Sequence, residues 1–113
     1  MTAITTHVLD VARGRPAEGV SIVLSRKELD GWHELGHGVT DPDGRLRSLM
    51  PNDATLVLGT YKLVFDTESY FTRLGIEPFF PWATVVFIVR DAAAHHHVPL
   101  LLSPFAYSTY RGS

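Results

Sequence analysis

The side chains best suited to chemistry lie at the end of the chain, in residues 95–113. This stretch predicts two consecutive strands, and side chains alternate between the two faces of a strand. His95 and His97 therefore share one face of the first strand, and Ser108 and Tyr110 share one face of the second. If these faces coincide, an imidazole, a phenol and the terminal carboxylate meet on one patch of sheet. The residue types and their spacing predict a functional site there.

The chain contains histidines at positions 7, 33, 37, 95, 96 and 97. Imidazole titrates near neutral pH, so it can act as an acid, a base or a metal ligand. We interpret His33 and His37 as structural or surface residues. His95 and His97 are two residues apart on one strand face, a spacing that can also hold zinc. From the residues alone, a zinc site completed by His7 is an alternative.

Alternating apolar and polar residues indicate strands along most of the chain. In addition to the two terminal strands, we expect strands over residues 3–11, 20–25, 32–40, 45–49, 56–65 and 84–90. Asp30-Gly31 predicts a hairpin turn, and residues 41–44 predict a second turn. Gly36 and Gly38 are costly in a regular strand and predict a β-bulge.

One segment has the pattern of a helix. Residues 67–75 carry apolar side chains at Tyr70, Phe71 and Leu74, Asp66 or Thr67 can cap the start, and Gly75 can end it. Seven or eight short strands with one short helix indicate an all-β protein, a β-sandwich. The 113 residues suit one domain, residues 1–113. A domain of this length buries about two thirds of its unfolded surface.

The composition excludes several classes of protein. The formal net charge is -2 and no basic run is present, so we expect no nucleic-acid partner. No apolar run approaches the ~20 residues of a membrane span, and the first residues lack the pattern of a signal peptide. The chain has no cysteine, which excludes disulfides and thiolate sites. We expect a cytoplasmic protein with no membrane partner.

Several motifs occur together and in order. They are Thr6-His-Val-Leu-Asp10, Gly14-Arg-Pro-Ala17, Asp43-Gly-Arg45, Tyr61-Lys-Leu-Val-Phe-Asp-Thr67, Tyr70-Phe71, His97-Val-Pro-Leu-Leu-Leu-Ser-Pro104 and Tyr110-Arg-Gly-Ser113. Taken together they resemble the transthyretin-related proteins, the 5-hydroxyisourate hydrolases, over nearly the whole chain. The resemblance implies two four-stranded sheets with a helix after the fifth strand. It also implies a homotetramer, a dimer of dimers with active sites in the channel between the dimers, and no cofactor.

The resemblance also assigns roles to individual residues. The two active-site histidines of the family match His7 and His97, and its arginine matches Arg45. The catalytic residues that we predict are His7, Arg45, His97 and Ser113, and the predicted substrate-binding residues are His7, Arg45, Tyr110 and Arg111. The assignment of Arg111 is the weakest of these, because side chains alternate along a strand and that of Arg111 can point away from the site.

These residues suit the hydrolysis of a cyclic amide. The reaction needs a water deprotonated, an oxyanion stabilised and a leaving nitrogen protonated. Two histidines can divide the acid and base roles, and the planar guanidinium of Arg45 suits a flat anionic heterocycle. No nucleophile motif is present, so we predict direct attack by water without a metal ion. The substrate that the resemblance implies is 5-hydroxyisourate, an intermediate of urate degradation.

Two positions depart from the family pattern. His96 replaces the usual Tyr and is expected to face away from His97. Ala106 replaces the usual Gly, and a positive φ there would cost ~1 kcal/mol. The alternative function is a transthyretin-like carrier that binds a small hormone without catalysis; the joint presence of His7, Arg45 and His97 argues against it.

Overall fold

The computed structural model describes residues 3–113. Its elements are β1 (Ile4–Asp10), β2 (Arg15–Pro16), β3 (Ser21–Glu28), β4 (Gly31–Val39), β5 (Arg45–Leu46), β6 (Gly59–Phe65), α1 (Thr67–Arg73), β7 (Ala83–Val89), β8 (His96–Ser103) and β9 (Ala106–Thr109). One sheet has the order β2-β1-β8-β9, with β5 also paired to β1, and the other has the order β4-β3-β6-β7. Within the sheets β1 and β8 run parallel. The predicted β-sandwich with one short helix is confirmed.

The two sheets enclose an apolar core that alternate residues of each strand supply. Ile4 and Val8 of β1 and Leu100 of β8 are fully buried, as are Tyr61 and Leu63 of β6 on the opposite sheet. Since side chains alternate along a strand, the odd-numbered residues of β1 and β8 face away from this core. The outer face of the five-stranded sheet is therefore available for a site.

The helix begins and ends where its capping residues predict. The Asp66 carboxylate accepts a hydrogen bond from the backbone N–H of Ser69 at 3.1 Å, which satisfies one of the donors that a helix start leaves without a partner. Gly75, with φ of 73°, follows the last turn and ends the helix.

The helix is also tied to the end of β1. The Tyr70 hydroxyl donates a 2.7 Å hydrogen bond to Asp10 Oδ2, and both residues are buried. Burial, followed by the bond to Asp10, raises the pKa of Tyr70 to about 12. The phenol therefore stays protonated at all physiological pH values and continues to satisfy the buried carboxylate.

The edge beside β1 differs from the predicted pair of four-stranded sheets. Two short strands share that edge: β5 pairs with Thr6 and His7, and β2 pairs with Leu9 and Asp10. The five-stranded sheet results because each two-residue strand covers only part of the seven-residue β1. β2 thus lies between the two strands predicted over residues 3–11 and 20–25.

The β-bulge lies next to the predicted glycines. Leu24 pairs with Gly36 whereas Ser25 pairs with Glu34, so Leu35 is the extra residue of β4. A Cβ atom at Gly36 would collide with the carbonyl oxygen of Leu49, which explains the glycine. None of the described residues forms a helix that is long and apolar enough to cross a membrane.

Candidate functional site

His7 is the centre of a row of side chains on the outer face of the five-stranded sheet. It lies opposite Arg45 of β5 on one side and opposite Pro99 of β8 on the other. Residues that are directly opposite in neighbouring strands project from the same face. The sheet therefore brings the guanidinium of one chain segment next to the imidazole of another, although 38 positions separate the two in sequence.

The end of the chain extends this row. Beyond β9 a bridge joins Gly112 to His97, and the Gly112 N–H donates to the His97 carbonyl at 2.8 Å. This bridge continues the β8–β9 register and so places Tyr110 opposite Pro99. Neighbouring strands are about 4.8 Å apart, so the row from Arg45 to Tyr110 spans about 14 Å.

His97 lies on the same outer face, one row away, and its imidazole is held from two sides. Its Nδ1 is 2.8 Å from Thr5 Oγ1, and Thr5 is its partner in the β1–β8 register. The His95 ring stacks against it with the two centroids 6.3 Å apart. These contacts engage Nδ1 and leave Nε2 as the nitrogen available for a ligand.

Gly112 packs directly against the His97 ring. A Cβ atom at this position would lie 2.5 Å from His97 Cδ2 and 3.3 Å from Pro99 Cγ, and real Cβ atoms do not approach so closely. Glycine is therefore required here by close packing against an imidazole. The backbone of the terminal segment therefore restricts rotation of the His97 ring.

The orientation of His7 depends on the turn between β4 and β5. Its Nε2 lies 2.9 Å from the backbone carbonyl oxygen of Asp43, and because a carbonyl only accepts, Nε2 carries the proton. The Asp41 carboxylate in turn accepts from the N–H groups of Asp43 at 2.9 Å and Arg45 at 3.0 Å. One turn thus fixes both His7 and the start of β5, and it leaves Nδ1 of His7 outside this hydrogen bond.

Burial and nearby positive charge both act on the imidazole of His97. The pKa of His97 is lowered from its ordinary value, chiefly by burial. Four neighbouring side chains lower it further: Arg45, His95, His7 and Arg47. His97 is therefore neutral at physiological pH, with a lone pair to accept a proton, while the two arginines favour an anionic ligand.

The family model described as the HIUase/Transthyretin family matches residues 4–112. The chain belongs to this family. A 5-hydroxyisourate hydrolase of Mus musculus is 48% identical and aligns over 97% of this chain and 94% of its own length. A probable 5-hydroxyisourate hydrolase of Caenorhabditis elegans is also 48% identical, over 98% of this chain and 82% of its own length.

Solved structures from both branches of the HIUase/transthyretin family share the fold. The 5-hydroxyisourate hydrolase of Klebsiella pneumoniae superimposes with a TM-score of 0.87 at 38% identity, and each chain is covered completely, to 100%. Transthyretin from Sparus aurata gives a TM-score of 0.91 at 35% identity, covering 99% of this chain and 97% of its own. The transthyretin-like fold that the sequence predicts is confirmed.

The terminal residues of the predicted site divide between the two faces of the sheet. Tyr110 is exposed on the outer face with His7. Arg111 lines a cleft of about 240 Å³ beside the free edge of β7, together with His96, His97 and Tyr110. Ser113 is exposed and follows Gly112 directly. The structure therefore brings together His7, Arg45, His97 and Tyr110, and Arg111 lines a cleft to which His97 and Tyr110 also contribute.

The remaining histidines have ordinary surface partners or are buried. His33 contacts Asp30 at 2.8 Å and His37 contacts Glu34 at 2.9 Å, all on the exposed surface. His96 is buried and faces away from His97. Within residues 3–113 no three histidine, cysteine, aspartate or glutamate side chains are grouped to hold a metal ion.

Sequence reasoning missed three contributors to the site: Thr5, the backbone carbonyl of Asp43, and Arg47. A threonine in a strand has no sequence pattern that marks a functional role, and the sequence does not show where a backbone carbonyl points. The Arg45-x-Arg47 spacing could have drawn attention to Arg47. The possible strain at Ala106 does not arise, because no described residue other than glycine has a positive φ.

Proposed function

We propose that this protein opens the six-membered ring of 5-hydroxyisourate by direct attack of water on a ring amide, giving 2-oxo-4-hydroxy-4-carboxy-5-ureidoimidazoline. The enzyme class rests on the relatives named above, which are hydroxyisourate hydrolases and align over nearly the full chain; the protein is a hydrolase of this kind. The observation that carries the mechanism is the row of Arg45, His7 and Tyr110 beside the constrained imidazole of His97.

His97 suits the role of general base. Its Nε2 is available, and its lowered pKa keeps the ring neutral near pH 7. Water would lose a proton to Nε2 while its oxygen bonds to the amide carbon. The carbon–nitrogen bond of the ring then breaks, and the nitrogen takes up one proton, which balances the proton that the base removed from water. The carbonyl carbon becomes a carboxylic acid, which releases its proton to solvent, so one water is consumed and no oxidant or reductant is needed.

Arg45 and His7 suit the charges that develop during this reaction. Arg45 has a fixed positive charge and a planar donor set, which can bind the anionic substrate and the tetrahedral oxyanion. His7 lies next to it in the row and, through Nδ1, can orient water or relay a proton to the leaving nitrogen. Tyr110 bounds the other end of the row, and Ser113 can orient the attacking water.

Arg111 enters this proposal only as a residue of the neighbouring cleft. Alternation along the chain places its side chain on the face opposite Tyr110, while the cleft that it lines also includes His97 and Tyr110. We retain it as a predicted substrate-binding residue that mutation can test.

The assembly and setting are also part of the proposal. The row of side chains is open to water in one chain, and a second sheet face lying over it would form a closed channel. We propose a homotetramer, a dimer of dimers, that works in the cytoplasm on a small purine-derived substrate with no cofactor, nucleic-acid or membrane partner.

The second candidate is a carrier that binds a small ligand without catalysis. It is favoured by the similarity to sea bream transthyretin, which has been solved in complex with thyroxine and is 36% identical with a TM-score of 0.90. The carrier hypothesis predicts saturable binding of an aromatic ligand in the channel and no hydrolysis.

Ultraviolet kinetics decide between the two functions. 5-Hydroxyisourate is generated freshly from urate by a urate oxidase, and its decay is followed with and without the protein. We expect catalysed decay in proportion to protein concentration, unaffected by prior chelator treatment and dialysis. Decay at the uncatalysed rate would contradict the proposal, and activity lost with chelator and restored by zinc would move His95 and His97 into a metal site.

A further inference from the structure

The Thr5 side chain contacts both outer-facing histidines of the C-terminal segment. Its Oγ1 is 2.8 Å from His97 Nδ1 and 3.0 Å from His95 Nε2. Thr5 is only 5% exposed, so the hydroxyl exchanges these contacts with bulk water only with difficulty. The two imidazoles and the hydroxyl form a continuous hydrogen-bonded chain, N–O–N.

The donor and acceptor inventory restricts how the protons are arranged. A hydroxyl has one hydrogen, so Thr5 donates to one of the nitrogens and accepts from the other. If Thr5 donated to His97, neutral His97 would carry its proton on Nε2, where no lone pair would remain for water. If Thr5 donates to His95 Nε2, it accepts from Nδ1–H of His97, and Nε2 keeps its lone pair.

We propose that Thr5 is a positioning residue that holds His97 in the Nδ1–H tautomer, with Nε2 facing the substrate, and that connects His97 to His95 as a proton relay. This inference rests on the proposed function for its consequence in catalysis, while the hydrogen-bonded chain itself is a property of the resting protein.

The relay conserves protons at each step. Nε2 of His97 takes a proton from the attacking water, Nδ1 passes its own proton to Thr5 Oγ1, and Thr5 passes its hydroxyl proton to His95 Nε2. The three N–H and O–H bonds that form equal the three that break. His97 ends neutral and His95 ends cationic, so the positive charge moves from the confined ring of His97 to His95. The water oxygen meanwhile bonds to the carbonyl carbon as a hydroxide equivalent.

The surroundings of His97 make this orientation specific. The backbone at Gly112 blocks the Cδ2 side of the ring, and His95 stacks at a 25° interplanar angle. The ring cannot flip to exchange its nitrogens without displacing one of these groups. With rotation restricted, the hydrogen bond to Thr5 is the interaction that selects the tautomer.

Thr5→Val tests the inference because it keeps the side-chain shape and removes the hydroxyl. We expect kcat to fall about 10- to 100-fold, the scale seen when a partner that orients a functional imidazole is removed, with little change in KM. The acid limb of the kcat/KM profile should move to lower pH, since imidazolium loses a hydrogen-bond acceptor. Thr5→Ser retains the hydroxyl and should recover most of the rate.

Thr6→Val is the matched control. Thr6 Oγ1 also donates across the β1–β8 pair, to the Val98 carbonyl at 2.6 Å, but on the core side. This variant should melt at a lower temperature yet keep the wild-type pH profile and kcat. An equal loss of kcat in the Thr6 variant would show that any missing β1–β8 bond slows the enzyme, and it would overturn the assignment.

His95→Phe separates the relay from orientation alone. Phenylalanine keeps a ring stacked on His97 but cannot accept a proton. Because His95 helps to lower the pKa of His97, its replacement should move the acid limb to higher pH, opposite to Thr5→Val, and kcat should fall about tenfold. Full kcat in His95→Phe would overturn the relay.

Imidazole ¹⁵N NMR of the resting protein supplies a readout without substrate. We expect the proton of His97 on Nδ1 in the wild type and a shift towards the Nε2–H tautomer in Thr5→Val. Observing Nε2–H in the wild type would overturn the inference. If the NMR result is as expected but the wild type does not hydrolyse 5-hydroxyisourate, the proposed function fails and the positioning role stands.

Discussion

Three polar residues from distant parts of the chain meet at the candidate site, and each has a separate structural reason for its position. His7 is oriented by the Asp43 carbonyl, Arg45 by its pairing with β1, and His97 by Thr5. None of these contacts contributes to the apolar core. The three side chains can therefore be removed with little effect on folding, which makes them good subjects for mutation.

His7→Ala, His97→Ala and Arg45→Ala should each reduce the catalysed rate ~10²-fold or more, the usual scale for a positioned acid, base or electrostatic group. Circular dichroism and thermal melting should show that each variant is folded. His33→Ala, which removes an exposed imidazole paired with Asp30, is the control and should keep the wild-type rate. Near-native rates in all three site variants would show that the site lies elsewhere.

His96 should make stability depend on pH. Burial lowers its pKa, followed by the charge of Arg111; His95 acts in the same direction, and Asp91 and the Ala94 carbonyl oppose them. Since the folded pKa is lower than the ordinary value, the unfolded chain binds the proton more readily. The free energy of unfolding should therefore be highest above about pH 6.5 and fall as the pH drops below it.

His96→Phe tests this dependence. Nδ1 of His96 is buried without a hydrogen-bond partner, so the replacement should also raise stability at pH 7.5, by about 1 kcal/mol. Thermal melts between pH 7.5 and pH 5 should give a smaller loss of stability than in the wild type. Some loss should remain because the pKa of His97 is lowered too. Parallel pH curves for the two proteins would contradict the role of His96.

At the scale of elements, the turn between β4 and β5 has the clearest link to the site. Gly44 has φ of 76°, its carbonyl accepts a 2.7 Å hydrogen bond from Val8, and a Cβ atom on it would collide with the Val8 carbonyl oxygen. The turn therefore packs against β1 at the residue after His7. A change in the turn should move the Asp43 carbonyl away from His7.

Gly44→Ala should destabilise the protein by more than about 2 kcal/mol, since it combines an unfavourable φ with a backbone collision. Gly14→Ala is the matched control: Gly14 also has a positive φ, 68°, but nothing lies within 4 Å of its Cβ position. It should lose only about 1 kcal/mol. Urea unfolding measures both, and equal losses would show that the contact with β1 is unimportant.

The sequence was sufficient for most elements because burial of one strand face imposes a period of two, and that period is visible in β1, β6 and β8. The sequence pattern could not define β2 and β5, since a strand of two residues is too short to show a period. The same alternation placed His7 and Leu9 on one face and put Tyr110 and Arg111 on opposite sides. Thr5 could not be predicted, because its role arises from the β1–β8 register, which the sequence does not contain.

At the scale of the whole molecule, the exposure of the site is the feature to explain. Tyr110 is 58% exposed and Phe105 is 72% exposed, and the row from Arg45 to Tyr110 lies open on a sheet face. Electrostatic groups act far more strongly when water is excluded. A second copy placed over this face by a two-fold axis would exclude water, and the same patch would then serve both copies.

Leu101→Asp should separate the proposed tetramer and greatly reduce hydrolysis, because it puts a charge on the outer face beside the site, where Leu101 pairs with Leu9 and Ser108. Val64→Asp is the control. Val64 is likewise half-buried in a central strand, but it lies on the outer face of the other sheet, so it should change neither property. Light scattering at micromolar concentration should give four times the chain mass for the wild type and for Val64→Asp, and a smaller species for Leu101→Asp. A wild-type monomer with full activity would contradict the channel, because one open face would then be sufficient for the reaction.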